Sequence, residues 1–502
     1  MKATSARLIV FPFSFFLVLY LSFNVYAQTG QDYYNAFDRW IANFNPAGNA
    51  LKPLNEIPRF KINGFFSNWT AINVHSDRQV GTVTKDWRFQ EIQWMAELEP
   101  RYQFSPGVEL VNKLRFQYDA VYDWQNSSLY ADKVNKDSYI SHTGDEIVRE
   151  LHLDIESDNL YVKIGKQQVV WGKMEGRWMD FINNLDGKDS LETRASQYNK
   201  LRIPLWMTNI TYSFRESSIQ FLWIPDYEPT KNPFPGSPWW SPLRSDPERD
   251  PRYRGSADEP GMAFKNHQWA ARLDTKVGQA TWSLGYMYGF SPNATNFIRQ
   301  DNLGQAFYDP EYTRAHFVGS AIDVGYVIKG VPFFQRIPFT YRAEVVFKTD
   351  QYFTDFNKWD PYNGILKEGK GLTNTDLISG AMKFDIFLPG RVWCFYQPMM
   401  SYYSGWRESL GVNRWSLGHV FFVNKFWRSL EDRLITSYFL FIYTGGPLNG
   451  WQGMKNQFVI TWKFSDNLEA KILYTDYHGG QNDIYGQFNK WDNARFEMNY
   501  VF

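Results

Sequence analysis

The stretch that constrains this chain most is its last, Arg495-Phe-Glu-Met-Asn-Tyr-Val-Phe502. Counting back by twos puts Phe502, Tyr500, Met498, Phe496 and Ala494 on one face and Val501, Asn499, Glu497 and Arg495 on the other. Successive strand side chains point to opposite faces, so this is a strand with one apolar and one mostly polar side. Chain ends are usually loose, and a strand running to the final residue reads as one held by a partner. In a transmembrane barrel the last strand pairs with the first, so that no edge is left in lipid. A soluble sandwich strand shows the same alternation, so the rest of the chain has to decide.

The N-terminus points to export. Lys2 and Arg7 precede an apolar run from Leu8 to Phe23, and Val25-Tyr26-Ala27 offers a small-residue cleavage site, so residues 1–27 read as a secretory signal peptide. Position 28 is Gln, which gives no lipidation site there. Beyond it no run of about 18 apolar residues marks a membrane-spanning helix. Yet the 502 residues include 21 Trp, 31 Tyr and 41 Phe with negative mean hydropathy, as suits a membrane barrel with aromatic girdles and a polar lumen. Without Lys2 and Arg7, 51 basic residues face 53 acidic ones, and no basic surplus suggests a nucleic-acid partner. The single cysteine, Cys394, allows no intramolecular disulfide and no cysteine-based haem or zinc site, and no cofactor is implied.

Gln31 to Phe44 places Tyr33, Tyr34, Phe37, Trp40, Ile41 and Phe44 near one helical face, and Asn45-Pro46-Ala47-Gly48 is expected to stop that helix. Residues 28–56 therefore read as a periplasmic segment with a short helix, and 57–502 as the barrel. Tight connections are expected at Ser105-Pro106-Gly107, Ser157-Asp158-Asn159, Arg215-Glu216-Ser217, Val277-Gly278, Lys329 to Gln335, Pro389-Gly390, Ser429 to Asp432 and Ser465-Asp466-Asn467. Eight hairpins, a first strand near Arg59 to Trp69 and the terminal strand give an all-β, antiparallel transmembrane barrel of about 18 strands, with 16 as the alternative. Both termini then lie on the side of the short turns.

Alternation sorts the faces. Leu114, Phe116, Tyr118, Ala120 and Tyr122 oppose Lys113, Arg115, Gln117 and Asp119; Phe339, Tyr341, Ala343, Val345 and Phe347 oppose Arg342, Glu344 and Lys348. A barrel of about 18 strands is too wide for side chains to fill, so the charged face belongs in a wet lumen. The expected lumen wall includes Glu97, Lys113, Arg115, Asp119, His152, Asp154, Lys163, Arg272, Arg342, Glu344, Lys471 and Glu497. Opposite signs on neighbouring strands either line a hydrophilic passage with a transverse field or pair to stiffen the wall.

Two loops are long enough to carry function. Residues 169–204 hold Trp171, Trp178, Asp180, Asp186 and Arg194 and are expected to fold inward as a constriction, with a short helix within Leu191 to Asn199. Residues 225–261 hold nine prolines beside Trp239 and Trp240, and read as a stiff, extended surface segment without EF-hand spacing.

The terminal Phe496, Met498, Tyr500 and Phe502 resemble the C-terminal signature of bacterial outer-membrane barrels, which implies the barrel-assembly machinery as a partner. Gly165-Lys-Gln-Gln-Val-Val-Trp-Gly172, Met179-Asp-Phe-Ile-Asn-Asn-Leu-Asp186, Leu201-Arg-Ile-Pro-Leu-Trp-Met207 and Leu222-Trp-Ile-Pro-Asp-Tyr-Glu-Pro229 resemble a proteobacterial outer-membrane family catalogued as domain of unknown function 1302. Asn184 stands where that family's pattern has proline in an N-P-x-D run. The resemblance implies an outer-membrane barrel and carries no substrate or catalytic residue. Together these readings lead to a Gram-negative outer-membrane channel, embedded in lipid, passing a small solute and meeting a periplasmic partner. The alternatives are a closed barrel displaying loops for a ligand, and an integral hydrolase. For the last, the scattered histidines sit in no catalytic motif, and only His152, with Asp154 on its face, is placed as a base.

Overall fold

The computed structural model describes residues 44–502 apart from 75–77, 81–82, 86–88, 125–140, 142, 189–197, 234–236, 238, 241–249, 332–333, 431, 446–450 and 481–482. The 1–27 leader, the 31–43 part of the expected helix and Arg194 lie outside these residues.

Eighteen strands form one sheet. They are β1 (Phe60–Asn73), β2 (Phe89–Ser105), β3 (Val108–Asp119), β4 (Val148–Glu156), β5 (Leu160–Gln167), β6 (Leu205–Phe214), β7 (Ser217–Ile224), β8 (Gln268–Val277) and β9 (Ala280–Phe290), followed by β10 (Arg314–Val331), β11 (Phe334–Thr354), β12 (Leu372–Leu388), β13 (Val392–Ser404), β14 (Trp415–Phe426), β15 (Leu434–Thr444), β16 (Trp451–Lys463), β17 (Leu468–His478) and β18 (Asn493–Val501). Each pairs antiparallel with its sequence neighbours, and β18 closes onto β1 from Phe65–Val501 to Asn73–Asn493. Phe502 and Gly64 exchange two backbone bonds of 2.9 Å. The ring of Phe502 lies where a side chain at Gly64 would sit, 2.8 Å from the position of a Cβ, so the seam needs glycine there. All eight expected hairpins are present. Between β10 and β11 the ladder runs on to Val331–Phe334, tighter than the seven-residue connection read from sequence, and β1 extends past Trp69 to Asn73.

The faces are inverted relative to a soluble protein. On β17 and β18, Glu497 is 1% exposed and Ile472 is 59% exposed. Likewise Glu344 is buried while its neighbours Val345 and Phe347 are exposed. The wall thus turns its charges inward and an apolar band outward, which only a lipid surround makes stable. Cys394 is one of the outward residues, between the inward Trp393 and Phe395. One detail of β3 departs from its alternation: the strand ends at Asp119, and Val121–Trp124 turns helical, so Tyr122 is buried rather than outward.

The N-terminal segment adds a helix that the sequence reading did not include. A helix, α1 (Pro46–Asn55), begins where a stop was expected. Asn45 caps it, its Oδ1 accepting from Gly48 N at 3.0 Å, and Pro46 takes the first helical position, where its missing N–H costs nothing. Asn-Pro is ambiguous between the two ends of a helix, and here the cap bond selects the start. Tyr500 Oη donates to Asn45 Oδ1 at 2.6 Å and accepts from Ala47 N at 3.1 Å, so α1 leans on the closing seam.

Candidate functional site

The described part of the connection between β5 and β6, residues 168–188 and 198–204, enters the lumen and is held at several points. At its root Gln167 and Asn183 are fully buried; Asn183 Oδ1 accepts from Val169 N at 2.8 Å and its Nδ2 donates to Ile203 O at 2.8 Å. Asp180 is clasped by Arg202 at 2.6 Å and Arg177 at 3.0 Å. Both are short charge-assisted contacts, the strong kind of hydrogen bond.

Further in, the loop meets a notch. Gly285 of β9 and Gly319 of β10 are directly opposite partners. A Cβ on Gly285 would lie 2.9 Å from the Trp171 ring, and one on Gly319 would lie 2.8 Å from Met179. The two glycines open the inner wall so that Trp171, Met179 and Phe181 can seat. Trp171 Nε1 donates to Gln220 at 2.7 Å, and Arg272 donates to Trp171 O at 2.9 Å.

The loop then reaches the far wall. Glu344 on β11 accepts from Lys173 N at 2.7 Å and from Met179 N at 3.1 Å. Gln397 on β13 accepts from Glu175 N at 3.2 Å and donates to Glu175 O at 2.8 Å. Met174 packs among Phe395, Val420, Phe422, Phe439 and Phe441. The segment therefore spans the lumen from β5 to β13. It separates a vestibule of about 940 Å³ on the short-turn side from one of about 370 Å³ on the long-loop side, and Glu175 borders both.

Most of the expected wall charges are inward and consumed in pairs. Arg115 meets Glu97 at 2.7 Å, Lys113 meets Glu150 at 3.3 Å, and Arg342 bridges Asp323 and Asp385 at 3.0 and 2.9 Å. Lys471 holds Glu469 at 2.7 Å, Arg272 holds Asp274 at 2.7 Å, and Glu497 lies 3.6 Å from Arg495. Lys163 and His152 converge on Asp154 at 3.6 and 2.6 Å. Asp119 accepts from Ile92 N and Val121 N and so finishes a strand rather than facing the passage. In the loop, Trp171 and Asp180 sit at its heart, Trp178 packs against the far-wall cluster, and Asp186 pairs with Lys188 at 3.4 Å near the root. Leu191 to Asn199 falls mostly outside the described residues, and Tyr198–Leu201 is helical.

Three features escaped the sequence. A register shift sets Lys113 opposite Glu150 but Leu114 opposite Val148, and this bulge turns Arg149 inward beside Glu150. Arg149 donates there to the carbonyls of Asn199, Lys200 and Arg202. The inner face of β13 to β15 is aromatic, with Trp393, Phe395, Phe422, Phe439 and Phe441 inward. Continuous runs such as Phe439-Leu-Phe-Ile-Tyr443 were the available signal, because they lack alternation. Finally, the 225–261 loop is not a free surface segment: Trp239 is buried with Met174 and Tyr485 in the same cluster.

Residues 85–288 match the family described as "Protein of unknown function (DUF1302)". Among solved structures, OccK8 (OprE) of Pseudomonas aeruginosa is similar with a TM-score of 0.50 at 9% identity, over 88% of this chain and 98% of that one. OccAB4 of Acinetobacter baumannii gives 0.48 at 10% identity, over 89% and 99%. At 9% identity the likeness to OccK8 shows the fold alone, a closed antiparallel β-barrel. No curated protein sequence matches the chain.

Proposed function

We infer that this chain is an outer-membrane channel that passes a small solute through a lumen narrowed by the 168–204 segment. The observation that carries this reading is the bonded crossing: a loop rooted at β5, seated in a glycine notch and tied to Glu344 and Gln397, has a vestibule on either side of it. A display barrel has no need of such a partition, whereas selection between two solutions does. The non-enzymatic reading is supported at His152. Its Nδ1 lies 2.6 Å from Asp154 and its Nε2 3.5 Å from Glu150, so both ring nitrogens face carboxylates and none is free to serve a substrate.

In this reading residues 1–27 are removed on export, 28–56 stay in the periplasm where a partner could engage them, and 57–502 span the Gram-negative outer membrane. The outward Phe496, Met498, Tyr500 and Phe502 serve recognition by the barrel-assembly machinery. The test is single-channel recording of the mature chain in a planar bilayer, beside a variant in which residues 172–182 are replaced by a short Gly-Ser turn. Small unitary steps that grow several-fold in the variant are expected. Absence of current from both proteins, each shown to be folded, overturns the channel reading.

A further inference from the structure

The outer face of the wall carries a feature that the pairing and partition of the lumen leave unused. At the long-loop ends of β7 to β10, Trp223, Trp269, Tyr288 and His316 stand directly opposite one another on four neighbouring strands. Their sequence neighbours Leu222, Ala270, Met287 and Phe317 are buried, so the row itself faces outward. Strands lie about 4.8 Å apart, which makes the row about 14 Å wide. Its rings meet along the way: Trp223 and Trp269 stack at 6.4 Å, and Tyr288 lies 4.9 Å from His316. A girdle of this kind marks the level at which headgroups meet acyl chains.

Residues 261–267 run beside this row and are pinned to it. His267 Nδ1 accepts from Trp223 Nε1 at 3.0 Å, its Nε2 donates to Met262 O at 3.1 Å, and Asn266 Nδ2 donates to Gly261 O at 2.8 Å. The Phe264 ring lies 5.0 Å from His267 and 6.3 Å from Trp269, yet Phe264 is 75% exposed and Met262 63%. Bare apolar side chains held this firmly are suited to an apolar surround. Arg314 crowns the row. Its guanidinium lies 4.9 Å from the Tyr288 ring and 4.2 Å from that of Phe290. It donates to Lys265 O at 2.6 Å and to His267 O at 3.3 Å, and of the five N–H groups of a guanidinium most are then left for a ligand. Lys265 beside it is exposed. Among the described residues neither cation has a carboxylate within ion-pair distance. The acids of the adjoining loops are spent elsewhere, Asp250 on Arg252, Asp301 on Arg254 and Glu311 on Arg299.

We propose that this rim is a docking site for a phosphorylated glycolipid of the outer leaflet. One phosphate bridges Arg314 and Lys265, while the acyl chains lie against the ring row with Met262 and Phe264 among them. Arginine suits the phosphate because its planar fork meets two oxygens at once. Its charge is backed by rings, so an arriving phosphate has no carboxylate to displace. The row is broader than the two side-by-side chains of a glycerophospholipid, which favours a lipid with more chains. The long-loop ends also face the leaflet in which such a lipid lies. The site is on the outside of the barrel and does not depend on what the lumen passes.

The experiment is native mass spectrometry of the mature protein in detergent, titrated in turn with bisphosphorylated lipid A, its dephosphorylated form and phosphatidylglycerol. A saturable adduct of one bisphosphorylated lipid A per barrel is expected, roughly tenfold tighter than the dephosphorylated form, about what one charge-assisted bond supplies. Lys265→Gln with Arg314→Gln should remove that difference, and Lys329→Gln, at the short-turn end, should leave it intact. Met262→Ala with Phe264→Ala should weaken both forms of lipid A alike, by several-fold. Equal binding of the dephosphorylated form to the native protein overturns the phosphate contact, and equal binding of phosphatidylglycerol overturns the glycolipid. No adduct with the native protein overturns the site outright, and none of these three results needs a variant to fold. Native affinity in the Lys265→Gln, Arg314→Gln protein, shown to be closed by its heat-dependent mobility, places the lipid elsewhere and overturns this rim. If that pair fails to close, Lys265→Gln alone decides: its side chain bonds to nothing among the described residues, so a several-fold loss is expected and an unchanged affinity overturns the proposal. Channel recordings are untouched by any of these outcomes.

Discussion

Glu344 is the residue on which most of the partition depends. Its two oxygens accept from backbone amides at both ends of the Lys173–Met179 turn. Glu344→Gln keeps the size of the side chain but offers one acceptor and an N–H facing a donor. The loss is expected to be about 1.5–3 kcal/mol, the usual worth of bonds to a charged acceptor, and single-channel traces should become noisier with larger substates as the loop lifts. Asn184 shows how a departure from a family pattern can have its own use. Its Nδ2 donates to Glu228 O at 2.7 Å and ties the inward loop to the next one, a bond proline could not make. Side-chain parity made Glu97 and Arg115 legible as an inward pair. It failed at Arg149, where one extra residue in β4 turns the side chain and no local sequence signal marks the bulge.

Among elements, the ones read well from sequence are those whose two faces meet different solvents. β17 is an example: Ile472 stands outward between Ile460 and Phe496, while Lys471 stands inward beside Glu497. Ile472→Arg is therefore expected to destabilise the barrel in vesicles by about 2–4 kcal/mol if it lies near the bilayer midplane, measured by urea unfolding, whereas Lys471→Ala should change unfolding far less. β13 to β15 were legible as strands but not as a lumen surface, because apolar residues occupy both parities and nothing local says which face is wet. α1 was not foreseen for a similar reason: its start depends on one cap bond and on Tyr500, 455 residues away. The loop after β11 offers a pH test. Asp355 is buried, which pushes its carboxyl upward, but the nearby Ser409 hydroxyl and the bonds from Thr373 and the Asn357 amide outweigh this and hold it below the ordinary range. A depressed carboxyl contributes stability above its unfolded value and loses it as pH falls toward the folded one. Protection from hydrogen exchange across residues 355–371, taken relative to the intrinsic rate at each pH, should therefore fall below about pH 4, and Asp355→Asn should remove that acid step.

For the whole molecule, strand number and closure were legible because consecutive pairing makes them a matter of counting hairpins. The filling of the lumen was not, since its decisive contacts join positions 171 and 222 residues apart. Closure itself makes a prediction. Gly64→Leu would drive a side chain into the Phe502 ring and the Glu97 carbonyl, so the variant should accumulate as unclosed protein, detected by its failure to show heat-dependent electrophoretic mobility. The crossing loop has one more consequence, a mechanical one. A tube one sheet thick has little to oppose flattening when the surrounding bilayer presses on it. A strut fixed at β5 and fastened to β11 and β13 braces it across its width, so the segment that narrows the passage also keeps the tube round. Widening the pore by removing that strut should then soften its walls, and the open-pore current of the shortened protein should vary with bilayer tension where that of the native protein does not.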